Sequence, residues 1–361
     1  MFEFETISAD TLPTPWEQRT VDEGLLAMLA IGCCLIVGRL TGHEAAGAIA
    51  AGGAFTAGFA VFHPMLESPL ISMALATLAL TTATFAGSLA AQWTPVVLVV
   101  VAVAGLNYGL LSGLGASAGW MGLQAGVYLV IATYFPNGPH QAAGRAAAML
   151  LGGTLQWCVH AAVRLPKLRR QEAPAKAIVV TRAKDYCQRL HHHMSWGSST
   201  LEYSTRLLTT IVLTTAVYRH YHLRNGYWIP MTALLCLRQQ WTGTLSRSIA
   251  RVAGTIAGAT IALLLAHSVH HWPVALLAAM IMLACLGCYA LQAVNYALFS
   301  LCMTLYIVFL FRFGGFSETQ AAHIRLMNTA IGGALALLID GVWQSVAWVY
   351  GRMKPRVETP F

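Results

Sequence analysis

The chain has 361 residues, of which 57% are hydrophobic and 10% charged, and its formal net charge is +8. Soluble domains carry about 25% charged residues, so this composition excludes a soluble enzyme, a disordered chain and a secreted disulfide scaffold. The apolar residues form long runs, which indicates that lipid is the solvent.

The first predicted segment is an acidic N-terminal tail, residues 1–23. A cleavable signal peptide has a basic start and a short apolar core, and this polar, acidic stretch has neither. We therefore expect a cytoplasmic tail that is not removed. Its acids are Glu3, Glu5, Asp10, Glu17, Asp22 and Glu23.

Apolar segments then follow in two sets, within residues 24–163 and within residues 203–350. A helix needs about 20 apolar residues to cross the hydrocarbon core, so about 12 spans are predicted. The segments at 45–62 and 226–239 are short, which favours a tilted or partly re-entrant course. In chain order the segments are 24–40, 45–62, 69–91, 94–112, 116–135, 140–163, 203–221, 226–239, 245–268, 272–290, 293–312 and 321–349.

The long polar stretch between the two sets, residues 164–202, is basic and predicts a cytoplasmic linker, because cytoplasmic loops are enriched in Lys and Arg. The C-terminal tail, residues 351–361, carries Arg352, Lys354 and Arg356. An even number of spans in each half places the linker and both termini on the cytoplasmic side.

The two sets resemble each other at a constant offset. Arg145 and Arg325 are 180 residues apart, and so are the glycine pairs that begin at Gly152 and Gly332. This recurrence predicts an all-α membrane protein built of two tandem six-helix repeats. Units with an even number of helices are parallel, so a pseudo-twofold axis along the membrane normal would relate them.

The clearest local motif lies in the second set. Arg247 and Arg251 are four residues apart and therefore share one helix face. Gly254, Thr255 and Gly258 continue that face, where small residues allow another helix to approach closely. The two arginines are interpreted either as anchors for lipid phosphates or as an anion site at a cytoplasmic vestibule, since guanidinium groups bind carboxylates through paired hydrogen bonds.

This region resembles the fusaric acid resistance (FUSC) family of bacterial inner-membrane proteins and, more distantly, the plant aluminium-activated malate transporters. The resemblance implies a six-helix membrane module paired with a second one, and efflux or conduction of organic anions, typically aromatic carboxylates. It covers about 203–350. It rests on Gly226-Tyr227-Trp228, Pro230, Arg247, Arg251, Gly254-Thr255 and Gly258.

Further candidate residues lie inside the predicted spans. Arg145 and Arg325 are expected either to bind loop carbonyls or to form an outer ring of positive charge around an anion path. Tyr227 and Trp228 are the first candidates to stack on an aromatic cargo. Asp340, the one acid deep in a late helix, is either part of a salt bridge or the carrier of a coupling proton.

No metal site or cofactor is expected. Cys285 and Cys288 have a zinc-like spacing but no second cysteine pair, and the outer-loop histidines show no regular ligand spacing. No phosphate-binding Gly-x-x-x-x-Gly-Lys motif occurs, so the chain is not expected to hydrolyse a nucleotide. No acid/base or nucleophile constellation recurs on one helix face, so an enzyme is not expected, and no nucleic-acid partner is expected either. The outer-loop histidines are His220, His222, His267, His270 and His271.

Together these observations predict a multi-pass protein of the bacterial inner membrane that exports small organic anions, with aromatic carboxylic acids as the favoured cargo and the proton gradient as the drive. The alternatives are a passive anion channel and a non-transporting scaffold subunit that acts through its basic linker. The expected partners are the lipid bilayer, the anion, and either a second copy of the chain or a periplasmic efflux component.

Overall fold

The computed structural model describes residues 10–11, 15–136, 138–168, 199–268, 273–315 and 318–353. Within these ranges the regular elements are helices, apart from one isolated β-bridge between Met65 and Ser68. The all-α prediction is therefore confirmed.

The α-helices of the described ranges follow the predicted segments closely, because long apolar runs determine where helices form in lipid. We number them in chain order as α1 Val21–Leu40, α2 Glu44–Phe59, α3 Pro69–Ala90, α4 Thr94–Gly113, α5 Ala116–Ala132, α6 Pro139–Leu168, α7 Ser199–His220, α8 Trp228–Cys236, α9 Trp241–Ser268, α10 Val274–Leu291, α11 Tyr296–Phe313 and α12 Glu318–Met353.

The helix ends differ from the predicted boundaries where polar residues continue a helix. Helices α6 and α7 extend into the predicted linker from both sides, and α12 reaches into the predicted C-terminal tail. Hydropathy detects the part of a helix that lies in hydrocarbon and misses the turns beyond it. The central part of the linker, 169–198, lies outside the described residues.

Nine helices of the described ranges are long and apolar enough to cross a membrane. Helix α5 is apolar but has 17 residues, and α7 is not among the nine. Helix α8 has nine residues and a length of about 14 Å, which is about half of the hydrocarbon thickness. The segment predicted at 226–239 is thus short, and α8 lies buried among the other helices.

The exterior of the bundle is aliphatic, whereas hydroxyl side chains lie inside. Leu40 is 80% exposed and Leu151 is 69% exposed, whereas Ser204, Thr210 and Thr214 are fully buried. Small and polar residues at helix contacts and large apolar residues outside are typical of proteins that face lipid. The chain is therefore a multi-pass membrane protein.

Helix packing recurs between the first six helices and the last six. In the first six, the packed pairs include α1–α2, α2–α6, α3–α5, α3–α6 and α4–α5; in the last six they include α7–α8, α8–α12, α9–α11, α9–α12 and α10–α11. The contacts between the two groups also come in matched pairs, α4–α7 with α1–α10, and α5–α8 with α2–α11.

Two glycines sit at equivalent close approaches in these groups. A Cβ atom on Gly152 of α6 would lie 1.8 Å from the carbonyl oxygen of Ala50 in α2, and one on Gly332 of α12 would lie 2.6 Å from that of Ile229 in α8. No side chain fits in either place, so these helices pack backbone to backbone.

Gly152→Ala should therefore lower the thermal stability of the purified protein. Added volume in a packed interior lowers the free energy of unfolding by about 1–3 kcal/mol. Here the new methyl group would overlap the backbone of Ala50, which cannot change rotamer as a side chain can. Gly144→Ala, on the same helix, is the matched control because a Cβ there meets open space. Replacing Gly by Ala in a helix gains about 0.5–1 kcal/mol, so this control should not unfold earlier; equal melting temperatures for the two variants would contradict the packing.

Candidate anion-binding cavity

A cavity of about 880 Å³ lies between the first six helices and the last six. Helices α2, α4 and α5 form one side, and α8, α9 and α11 form the other. Aromatic side chains supply much of the wall. They are Phe55, Phe59, Tyr108, Trp120, Tyr128, Tyr203, Tyr227, Trp228, Tyr296, Phe299, Tyr306 and Phe311.

Three arginines line one end of this cavity, which we call the arginine end: Arg238, Arg247 and Arg251. Arg247 and Arg251 share a face of α9, and Arg238 lies in the connection between α8 and α9. Among the described lining residues, Asp10 is the acid. The lining side chains thus carry a net positive charge, which favours an anion.

Arg247 and Arg251 are both held by aromatic and polar neighbours. The guanidinium carbon of Arg247 lies 3.1 Å from the ring centroid of Tyr296, and its Nη1 donates to Asp10 Oδ1 over 2.8 Å. Arg251 is 3% exposed, and its Nη1 donates to the hydroxyl of Tyr296 over 3.5 Å. A cation over a ring face is stabilised by the ring quadrupole, so Tyr296 orients both groups.

Tyr227 and Trp228 both lie in the cavity wall, at the start of α8. Asn225 has a φ of 48° just before them, and a Cβ on Gly226 would lie 2.6 Å from the Cβ of Tyr218. Pro230 suits the first turn of α8, because backbone N–H groups of a first turn have no acceptor within the helix and proline has no N–H. This turn sequence directs the two rings into the cavity.

Arg325 lies behind the ring of Trp228 and not in the described lining. Its guanidinium carbon is 4.2 Å from the ring centroid, and its Nε donates to Thr304 Oγ1 over 3.3 Å. Arg325 is 1% exposed, and Nη1 and Nη2 have no hydrogen-bond partner among the described residues. A buried cation with spare donors is costly unless an anion reaches it.

Arg145 of α6, 180 residues before Arg325, has different neighbours. Its Nη1 donates to the carbonyl oxygen of Phe135 over 2.9 Å, and its guanidinium carbon lies 5.2 Å from the centroid of the Phe135 ring. It is absent from the described cavity lining. The structure therefore brings Arg247, Arg251, Tyr227 and Trp228 to the cavity and leaves Arg145 bound to a loop carbonyl.

Asp340 is fully buried and forms an ion pair with Arg206, Oδ1 to Nη1, over 2.9 Å. Arg206 also donates Nη2 to the carbonyl oxygens of Arg238 and Gln239, over 2.7 and 2.8 Å. Asp340 thereby holds Arg206, and Arg206 holds the connection that carries Arg238. Our sequence analysis missed Arg206, whose signal is a lone basic residue in a run of hydroxyl residues near the start of α7.

The small residues predicted for helix packing contact α11. A Cβ on Gly254 would lie 2.2 Å from the carbonyl oxygen of Ala297, and one on Gly258 would lie 2.7 Å from that of Leu301. Thr255 between them is fully buried. Close approach of α9 and α11 brings the arginine face of α9 next to Tyr296.

Histidine contributes little charge to the cavity. His63, in the connection after α2, lines it and stacks on Trp120 with a centroid distance of 4.7 Å. Burial lowers the pKa of His63 to about 4, so it is neutral near pH 7. Within the described ranges no group of three or more His, Cys, Asp or Glu side chains could hold a metal ion; His270 and His271 lie outside them.

Comparison with known proteins finds a family resemblance within the second half of the chain. Residues 212–339 match a family model described as fusaric acid resistance protein-like. The FUSC resemblance is confirmed. The matched FUSC segment runs from α7 into α12, and it includes Tyr227, Trp228, Arg247, Arg251 and Arg325.

A protein of Haemophilus influenzae described as uncharacterized is 21% identical to the chain over 197 residues. The alignment covers 55% of this chain and 26% of that protein, so the match spans about a quarter of that relative's length. No solved structure is significantly similar to the chain. A FUSC segment in a bundle with many membrane-length helices fits a membrane transporter in general.

Asp340→Asn should destabilise the protein by about 3–5 kcal/mol, because removing one partner of a buried ion pair leaves the other charge uncompensated. Thermal unfolding in detergent measures this. Asp22→Asn, at an exposed acid of α1, is the control and should unfold like the wild type. An Asp340→Asn protein that is as stable as wild type, but whose transport no longer responds to a pH gradient, would instead identify Asp340 as the carrier of a coupling proton.

Proposed function

We propose that the chain is a membrane transporter that exports small organic anions, with aromatic carboxylic acids as its cargo, through the cavity between its two halves. The observation that carries this proposal is the cavity itself, in which three arginines at one end face walls of aromatic rings. Its volume of about 880 Å³ lies within the usual range of small-molecule sites.

The proposed architecture is two tandem six-helix repeats, residues 24–163 and 203–350, related by a pseudo-twofold axis along the membrane normal. The matched helix pairs support it, as do the equivalent approaches at Gly152 and Gly332. In parallel repeats of this kind, substrate sites lie at the interface between repeats, which is where the cavity lies.

The residues suggest an amphipathic cargo with one negative group. A guanidinium group binds a carboxylate through charge-assisted hydrogen bonds, and aromatic walls suit an aromatic ring by stacking or edge contacts. Arg247 and Arg251 are the favoured anion ligands, and Trp228 is the favoured stacking partner. Arg325, behind Trp228 with unpaired donors, is a second anion ligand that becomes reachable when Trp228 moves.

We further propose a bacterial inner-membrane location with both termini in the cytoplasm, and export driven by the proton gradient. The basic linker and C-terminal tail support this orientation through the enrichment of Lys and Arg in cytoplasmic loops. The arginine end, which carries the described part of the N-terminal tail, would then open towards the cytoplasm. A second copy of the chain or a periplasmic efflux component would be its protein partner.

Purified protein in proteoliposomes tests the proposal by the uptake of benzoate, phenylacetate and acetate, with and without a pH gradient. We expect saturable benzoate flux that increases when a proton gradient is imposed. Currents above about 10³ charges per second per protein would indicate a passive channel, since carriers turn over at rates typical of enzymes. A protein that inserts into the membrane but transports none of these anions would favour the alternative of a non-transporting scaffold subunit.

Arg251→Gln should lower benzoate flux at least about tenfold, because a hydrogen bond to a charged group is worth about 1.5–3 kcal/mol. Arg145→Gln is the matched control. It removes the same charge from a helix of the first six, at a position outside the described cavity lining, and should leave flux within about twofold of wild type. Equal losses in the two variants, at equal stability, would contradict the assignment of the cavity.

A further inference from the structure

A short piece of the N-terminal tail lies in the arginine end of the cavity. The carboxylate of Asp10 accepts a hydrogen bond from Arg247 Nη1 at Oδ1, over 2.8 Å, and one from Ser246 Oγ at Oδ2, over 3.2 Å. The backbone N–H of Asp10 donates to the same Ser246 oxygen over 3.1 Å. Both carboxylate oxygens are thus bound by side chains of α9.

The backbone of this piece is held by the start of α11. The N–H of Ala297 donates to the carbonyl oxygen of Asp10 over 3.3 Å, and Asn295 Nδ2 donates to that of Thr11 over 2.7 Å. Side chains of α9 and the start of α11 therefore both bind this piece, α9 at Asp10 and α11 at Asp10 and Thr11.

The same atoms are suited to a carboxylate that belongs to another molecule. The side chains of Arg247 and Asp10 are 23% and 27% exposed, so the pair is neither sealed from solvent nor fully hydrated. The Tyr296 ring beneath Arg247 offers an aromatic contact beside the carboxylate position. An aromatic acid presents both groups that these residues could bind, a carboxylate and a ring.

We propose that Ser246 and Arg247 form the carboxylate subsite of the cavity and that Asp10 is a built-in competitor which occupies this subsite until an aromatic carboxylate displaces it. The inference rests on the proposed function, and it adds the atoms that bind the cargo and a regulatory role for the tail. While Asp10 is bound, Asp10 and Thr11 occupy part of the arginine end.

This competition predicts a measurable change in the apparent dissociation constant of the ligand. The apparent dissociation constant of a ligand rises by the inverse of the fraction of protein whose site is free. If Asp10 occupies the subsite about nine-tenths of the time, its removal should strengthen binding by about tenfold.

The experiment is calorimetric titration of the full purified chain with benzoate, and with benzamide as an uncharged probe of similar shape. Asp10→Asn removes the competing charge, and Asp10→Ala removes the side-chain hydrogen bonds as well. Glu17→Gln is the matched control, because it removes one exposed carboxylate from the same tail. We expect both Asp10 variants to bind benzoate about tenfold more tightly than the wild type and Glu17→Gln, and none of them to bind benzamide.

The serine provides a second test, since Asp10→Asn with Ser246→Ala should lose most of the gained affinity. Equal benzoate affinity in wild type and Asp10→Asn would overturn the proposal that Asp10 competes for the subsite, and it would leave the proposed function standing. Weaker benzoate binding in Asp10→Asn would also overturn the competition, because Asp10 would then help to form the binding site. No benzoate binding in any variant would overturn both the subsite and the proposed function.

Discussion

Arg206, Arg251 and Arg325 are almost fully buried in an apolar helical bundle, and the rest of the structure is arranged around the cost of these charges. A buried charge is tolerated only when it is paired, hydrogen-bonded or reachable by a counter-ion. Arg206 is the best compensated of the three, by Asp340 and two carbonyl oxygens, although its Nε has no hydrogen-bond partner among the described residues. Arg251 and Arg325 are compensated only in part, by Tyr296 and Trp228. The two incompletely compensated arginines mark the region where a bound anion would be stabilised.

The recurrence between the two halves shows which charges are structural. His160 and Asp340 are 180 residues apart, and both pair with a charged residue at the start of the first helix of their half. His160 Nε2 lies 2.9 Å from Glu23 Oε2, and Asp340 Oδ1 lies 2.9 Å from Arg206 Nη1. In the first half the acid lies on the first helix, and in the second half the acid lies on the last helix. In both halves the contact joins the first helix to the last, and neither His160 nor Asp340 is among the described lining residues of the cavity.

Hydropathy predicted the helices well and the site only in part. The predicted segment 94–112 is α4, Thr94–Gly113, because burial in lipid depends on the apolar content of a run, which is local. The pairing of Arg206 with Asp340 spans 134 residues, and that of Asp10 with Arg247 spans 237. Such contacts depend on how helices pack and turn, which no local pattern encodes. For the same reason Arg145 was grouped with Arg325, although only Arg325 lies next to the cavity wall.

The central claim is that the arginine end binds an aromatic carboxylate, and the most direct measurement is the position of a heavy-atom ligand. A crystal of the protein grown with 4-iodobenzoate would locate the iodine by its anomalous signal. The account predicts one peak inside the cavity, among the aromatic rings near Trp228, with the carboxylate density directed at Arg247 or Arg251. An ordered peak on the outer lipid-facing surface, with the cavity empty or filled by lipid, would contradict it.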